Sequence, residues 1–234
     1  MSAIILFMAG IAVIAGWWLS QQRLAAKPWL EEGVIVDLRE TGSPSLAPAK
    51  IGLGVFLAVV GSLFALFISA YSMRMNMVDW RTLPVPALLW FNTGVLVVSS
   101  VALQWAHMAA RRDDIDGVGV GLCVGGAFAV TFLVGQLLAW RQLSGAGYFL
   151  ASNPANSFFY LITAVHGLHL MGGLVALGRT TAKVLRGADA TQIRLSVELC
   201  TIYWHFLLVV WLVLLGLLTG WTDSFVDICR QLLS

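Results

Sequence analysis

Charge is what this sequence has least of. Only 11% of its 234 residues are Asp, Glu, Lys or Arg, against about 25% in an ordinary soluble domain. The formal net charge is +2. So small an excess, carried by basic residues scattered through short loops, is too little to indicate a nucleic-acid partner. Cysteine is as sparse. Cys123, Cys200 and Cys229 are odd in number and lack metal-type spacing, so they read as free thiols and no disulfide framework is indicated. No phosphate loop, catalytic triad or activated nucleophile appears. What the chain has in excess is apolar surface: 59% hydrophobic residues and a mean hydropathy of +0.85 describe an integral membrane protein.

Crossing about 30 Å of hydrocarbon takes roughly 20 apolar residues in a helix. Six runs qualify, at residues 3–19, 51–72, 86–108, 118–140, 156–178 and 197–220. The expected fold is therefore all-α and polytopic, with six transmembrane helices. The first run has no Lys or Arg before it and no small-x-small cleavage site, so it reads as a retained helix and not as a signal peptide. The one sizeable polar stretch is 21–50, whose Gly42-Ser-Pro44-Ser-Leu-Ala-Pro48 run reads as irregular loop. It divides the chain into an N-terminal helix with its loop, 1–50, and a five-helix bundle, 51–234.

Orientation follows from the basic residues in alternate loops. Arg23, Lys27, Arg39, Lys50, Arg111, Arg112, Arg179, Lys183, Arg186 and Arg194 fall on one side; Arg74, Arg81, Arg141 and Arg230 fall on the other. The richer side is expected to be cytoplasmic, with both termini outside. Trp17, Trp18, Trp80, Trp105, Trp140 and Trp221 lie near the ends of the runs, as an interfacial aromatic belt requires. Gly117, Gly121 and Gly125, and again Gly216 and Gly220, are spaced for close helix approach in lipid.

No Asp, Glu, Lys or Arg occupies the middle of any run. An ion-coupled pump or transporter is expected to keep a midplane carboxylate or paired broken helices, and neither is visible. Asn92, Ser99, Ser100, Thr131, Gln136, Asn156 and Thr163 instead read as interhelical hydrogen-bonding groups. His166 and His169 share a helix face. An antiparallel hairpin sets His169 and His205 at similar depth, roughly 12–14 Å from the basic end. Such a pair could ligate a haem or a metal; it could equally fix packing by hydrogen bonds. His107, beside Arg111 and Arg112, reads as an interfacial residue.

Two motifs carry a specific likeness. Thr163-Ala-Val-His166-Gly-Leu-His169 lies in the fifth run, and Glu198-Leu-Cys-Thr-Ile-Tyr203-Trp204-His205-Phe206-Leu-Leu-Val-Val-Trp211 lies in the sixth. In order and spacing they resemble the Thr-x-x-His-Gly-x-His and Glu-x-x-x-x-Tyr-Trp-His-Phe-Val-Asp-Val-Val-Trp helices of subunit III of the haem-copper cytochrome c oxidases. Lys50-Ile-Gly-Leu-Gly-Val-Phe-Leu-Ala-Val-Val60 is similar to an earlier helix of that family, and Asn92-Thr, Ser99-Ser100 and Gln104-Trp-Ala106 to the next. The likeness covers the chain from Lys50 onward. Two family carboxylates are missing: the aspartate falls at Leu208 and the glutamate at Val60.

The resemblance implies a six-helix form lacking the family's first helix. It implies a subunit without a redox cofactor of its own, packed on the haem-copper catalytic subunit I and other oxidase subunits, which hold the haem and copper. It further implies bound phospholipid and support of proton uptake, in a bacterial cytoplasmic membrane. Lys183 falls where many members carry a lipid-phosphate-binding arginine, Trp17 and Trp18 resemble a tryptophan pair at the lipid site, and Glu198 matches a family glutamate. The alternatives left open are a haem-b or metal-binding electron carrier using His169 and His205, the similar subunit of a quinol oxidase or nitric oxide reductase, and a small solute transporter.

Overall fold

The computed structural model describes residues 48–220 except 76, 188 and 189. The expected first helix, Trp17, Trp18 and Trp221 lie outside the described residues. Within them the chain forms five helices: α1 Pro48–Arg74, α2 Leu88–Arg111, α3 Ile115–Gly145, α4 Pro154–Leu185 and α5 Ala190–Leu218. All five are long and apolar enough to cross a membrane, so the polytopic all-helical expectation holds for the bundle.

The helices outrun the apolar segments that announce them. Helix α4 extends to Leu185 and α5 starts at Ala190, beyond the expected limits at 178 and 197. Hydropathy marks only the stretch that lipid can cover, whereas helical hydrogen bonding continues until the backbone meets a stop. Here that stop is Gly187, at φ +68°, a conformation glycine adopts without strain. The expected long loop between Arg179 and Arg194 is therefore mostly helix. Lys183 lies in the last turn of α4, and Glu198 lies two turns inside α5 instead of at its start. At the other end Asn153 caps α4, its side chain accepting from the Ala155 N–H with Pro154 in the first turn. Asp114 caps α3 by accepting from the Gly117 N–H at 3.0 Å.

Helices α2, α3, α4 and α5 close into a four-helix arrangement, and α1 lies outside it against α4 and α5. Only Val60 and Phe64 of α1 are buried. The α2–α3 seam is the most extensive, and the glycine spacing explains it. A Cβ on Gly121 would lie 2.7 Å from the Ala106 Cβ and 3.0 Å from the Ala102 carbonyl oxygen; one on Gly125 would lie 2.9 Å from Leu103 Cγ. Gly216 shows no such contact among the described residues: a Cβ there meets nothing within 4 Å. Gly220 instead takes a left-handed backbone at φ +74° just after α5. The core is Leu89, Leu96 and Leu103 of α2, Leu122, Ala129 and Phe132 of α3, Phe159 and Leu170 of α4, and Trp204, Leu207 and Trp211 of α5.

Loop contacts show which connections share an end. Arg194 of α5 reaches the α2–α3 connection, donating Nε to the Ala110 carbonyl at 3.0 Å and its guanidinium to Asp113 at 2.6 Å. At the opposite end the Asn153 side chain donates to the Arg81 carbonyl. There the Arg74 guanidinium bonded to Asp79 holds that carboxyl below its ordinary range.

Candidate functional site

The sequence-marked residues of α4 and α5 meet in two zones. The first is a ring cluster in mid-bundle. His166 is fully buried, with its imidazole centroid 5.2 Å from Trp211, 5.8 Å from Phe132 and 6.2 Å from Phe64. Neither of its ring nitrogens has a hydrogen-bond partner among the described residues. It fills a hole among aromatic rings, and Trp211, edge-on to Phe132 at 4.9 Å, closes the hole from α5. Trp211 is itself anchored by donating Nε1–H to Thr93 Oγ1 of α2 at 2.9 Å.

One turn along α4, His169 is half-buried under Phe64, centroid to centroid 5.5 Å. Its Nδ1 lies 2.8 Å from the Val165 carbonyl. A carbonyl oxygen only accepts, so Nδ1 carries the proton and Nε2 is left as the acceptor. His205 repeats the arrangement with Nδ1 2.8 Å from the Thr201 carbonyl, but it is exposed. Each histidine is thus fastened to its own helix and does not bridge to the next. Tyr203 makes the bridge, donating its hydroxyl to the His169 carbonyl at 2.9 Å. The approach is close because Gly173 leaves room: a Cβ there would lie 2.8 Å from the Trp204 ring and 2.9 Å from that of Tyr203. Among the described residues no three His, Cys, Asp or Glu side chains gather as a metal site.

The interhelical polar groups divide. Ser99 links α2, α3 and α5, and Thr163 receives the Trp140 indole N–H at 3.1 Å. Asn156 donates to the Phe149 carbonyl and to Ser152 in the preceding loop. Among the described residues Thr131 bonds only the Ala127 carbonyl of its own helix. Asn92 and Gln136 are buried with side-chain amides that have no partner among the described residues. A Cβ on Gly135 would collide with Asn92, at 2.1 Å from its Oδ1. The two positions that lack the family carboxylates are apolar in their surroundings: Val60 packs with Phe64, Ile162 and Leu214, and Leu208 lies against the main core.

The second zone is the basic end. Lys50 of α1 donates to Glu198 of α5 at 2.6 Å, each side chain about one-third exposed, at 32% and 33%. Lys183 is exposed on α4 and donates to Ser196 of α5 at 3.1 Å. Neither partner is apparent in the sequence reading. The Lys50–Glu198 pair joins residues 148 apart, a separation that no local spacing rule reaches. Ser196 is an unremarkable polar residue until α5 is known to start six residues before it.

Comparison with known proteins gives a consistent result. Residues 51–223 match the family Cytochrome c oxidase subunit III. A "Cytochrome c oxidase subunit 3" of Thermostichus vulcanus is 32% identical over 176 residues, covering 72% of this chain and 85% of that protein. A "Probable cytochrome c oxidase subunit 3" of Mycobacterium bovis is 33% identical over 165 residues, 68% of this chain and 78% of that one. A "Cytochrome c oxidase subunit 3" of Synechocystis is 28% identical over 207 residues, covering 82% and 88%.

Proposed function

This chain belongs to the cytochrome c oxidase subunit III family, and from that premise we propose that it serves as a non-catalytic flank of the haem-copper subunit of an aerobic terminal oxidase. The observation that supports this reading is the distribution of charge. The five described spans carry no Asp, Glu, Lys or Arg through their middles, while a carboxylate, Glu198, is held at one end by Lys50. A span without a buried acid lacks the carboxylate on which a proton relay through the bilayer is commonly built. A carboxylate at the membrane surface can still exchange protons with water and raise their local supply.

On this reading residues 1–50 add the sixth helix and its loop, both termini lie outside, and the basic end faces the cytoplasm of a bacterium. Trp17 and Trp18 belong to the lipid-binding face. Lys183, exposed in the last turn of α4, holds phospholipid phosphate as a point charge without the bidentate fork of arginine. The His166 cluster has a packing role: it sets the spacing of α1, α4 and α5, and so the shape of the flank.

The test is oxygen consumption against turnover number with and without this chain. Enzyme stripped of it starts with substantial activity, slows as pH rises and protons become scarce, and loses activity with successive turnovers; Lys183→Ala shows a milder form of the loss. A stripped core that is inactive from the first turnover, or as durable as the intact enzyme, sinks the proposal.

A further inference from the structure

At the basic end, α1, α2 and α5 enclose a cavity of about 300 Å³ lined by Lys50, His107, Ala110, Arg111, Arg194 and Glu198, at the small end of the roughly 300–1,000 Å³ typical of ligand sites. Its lining is built from two helical pairs. His107 and Arg111 stand four apart on α2, and Arg194 and Glu198 stand four apart on α5, so each pair presents both members to one side. Lys50 enters from the first turn of α1.

Among the described residues the charges around this cavity do not cancel. Lys50 is matched by Glu198 at 2.6 Å and Arg194 by Asp113 at 2.6 Å. Arg111 has no acidic partner among the described residues, which leaves one guanidinium in excess. His107 adds a second unmet group, since its Nδ1 is buried with no hydrogen-bond partner among the described residues. A planar fork of N–H donors on the same helix face and cavity wall as an unpartnered imidazole suits an oxyanion. A tetrahedral phosphate suits the Arg111 fork, which can give it two parallel N–H bonds, and His107 lines the same cavity. Lys50 and Glu198 line the same cavity as a matched pair and add no net charge to it.

We propose that this cavity binds a phosphate group, either free or on a lipid head group, with Arg111 as the principal contact and His107 as the second. It is separate from Lys183, which reaches Ser196 on the α4 side of α5, and it does not depend on the function proposed above.

The experiment uses the full chain in its purified complex. Native mass spectrometry counts retained phospholipid, and thermal unfolding is followed with inorganic phosphate against chloride at matched ionic strength. Arg111 is exposed, so its replacement leaves the fold intact. If the source is lipid, Arg111→Gln retains one phospholipid fewer than wild type. If the source is free phosphate, wild type is stabilised by phosphate over chloride and Arg111→Gln needs at least tenfold more phosphate for the same shift. In either arm Arg111→Lys falls between, because it keeps the charge and loses the fork. Arg141→Gln, at the opposite end, matches wild type. Equal lipid counts and equal phosphate responses in wild type and Arg111→Gln overturn the proposal.

Discussion

Trp204 donates its indole N–H to Ser99 Oγ at 2.9 Å, and Ser99 donates in turn to the Gly125 carbonyl at 2.7 Å, so one hydroxyl ties α5 to α2 and α2 to α3. Trp204 and Ser99 are both fully buried. Ser99→Ala strands one N–H and one carbonyl lone pair inside the bundle. The expected loss is about 1–2 kcal/mol, within the range for an unmet buried polar group and for polar contacts between membrane helices. Denaturation of the purified chain in mixed micelles measures it. Ser99→Thr, which keeps the hydroxyl, shows a smaller loss; if the alanine variant is as stable as wild type, the three-helix tie contributes nothing.

Gly121 and Gly216 give opposite expectations for one substitution. At Gly121 an alanine methyl meets Ala106 at 2.7 Å and the Ala102 carbonyl at 3.0 Å, so α2 and α3 must separate. A cost on the order of 1–3 kcal/mol follows, as for overpacked cores. At Gly216 the methyl meets nothing within 4 Å among the described residues. The melting temperature of the isolated chain therefore falls for Gly121→Ala and holds for Gly216→Ala. Equal shifts refute the seam.

Val60 answers a chemical question. Dicyclohexylcarbodiimide modifies a protonated carboxyl in an apolar setting, and the packing of Val60 with Phe64, Ile162 and Leu214 supplies the setting without the acid. Peptide mapping of reagent-treated protein finds no adduct between residues 51 and 72. Val60→Glu places a carboxyl there and gains an adduct, together with a loss of stability from burying an unpaired polar group. If Val60→Glu gains no adduct, the packed setting of residue 60 does not keep a carboxyl protonated and reactive.

Topology is checked at two connections. In a cysteine-free background, Arg186→Cys after α4 and Ala146→Cys after α3 are labelled by impermeant maleimide from opposite faces of the membrane. The basic-residue count assigns Arg186 to the cytoplasmic face. Labelling of Arg186→Cys from outside reverses the orientation, and labelling of both positions from one face breaks the hairpin.

Much of this molecule is legible in one dimension because lipid imposes a one-dimensional rule. A backbone in hydrocarbon has no water to bond, so it must satisfy itself within a helix. The apolar runs at 86–108 and 118–140 therefore locate α2 and α3 with little else to consult. The spacing of Gly117, Gly121 and Gly125 announces a close seam for a similar reason, since steric room is written residue by residue. Gly216 shows where that reasoning stops: the same spacing that marks a contact on α3 meets no described residue at Gly216 of α5, and only the rotation of the helix about its axis tells them apart. The motifs of α4 and α5 announce the family, yet not what their histidines do.

What the sequence determined by itself is the membrane class, the described helices, the charge asymmetry of the two ends and the family motifs, because each depends on composition, period or local spacing. The tertiary structure decided which of those groups meet. It buried His166 among Phe64, Phe132 and Trp211 while leaving His205 exposed, placed Glu198 two turns inside α5 against Lys50, and left Arg111 without an acidic partner among the described residues beside His107. The physical reason is that a helix in lipid is apolar on every side, so hydrophobicity fixes its depth but not its rotation. Rotation is set by shape and by a few interhelical hydrogen bonds, whose partners stand far apart along the chain.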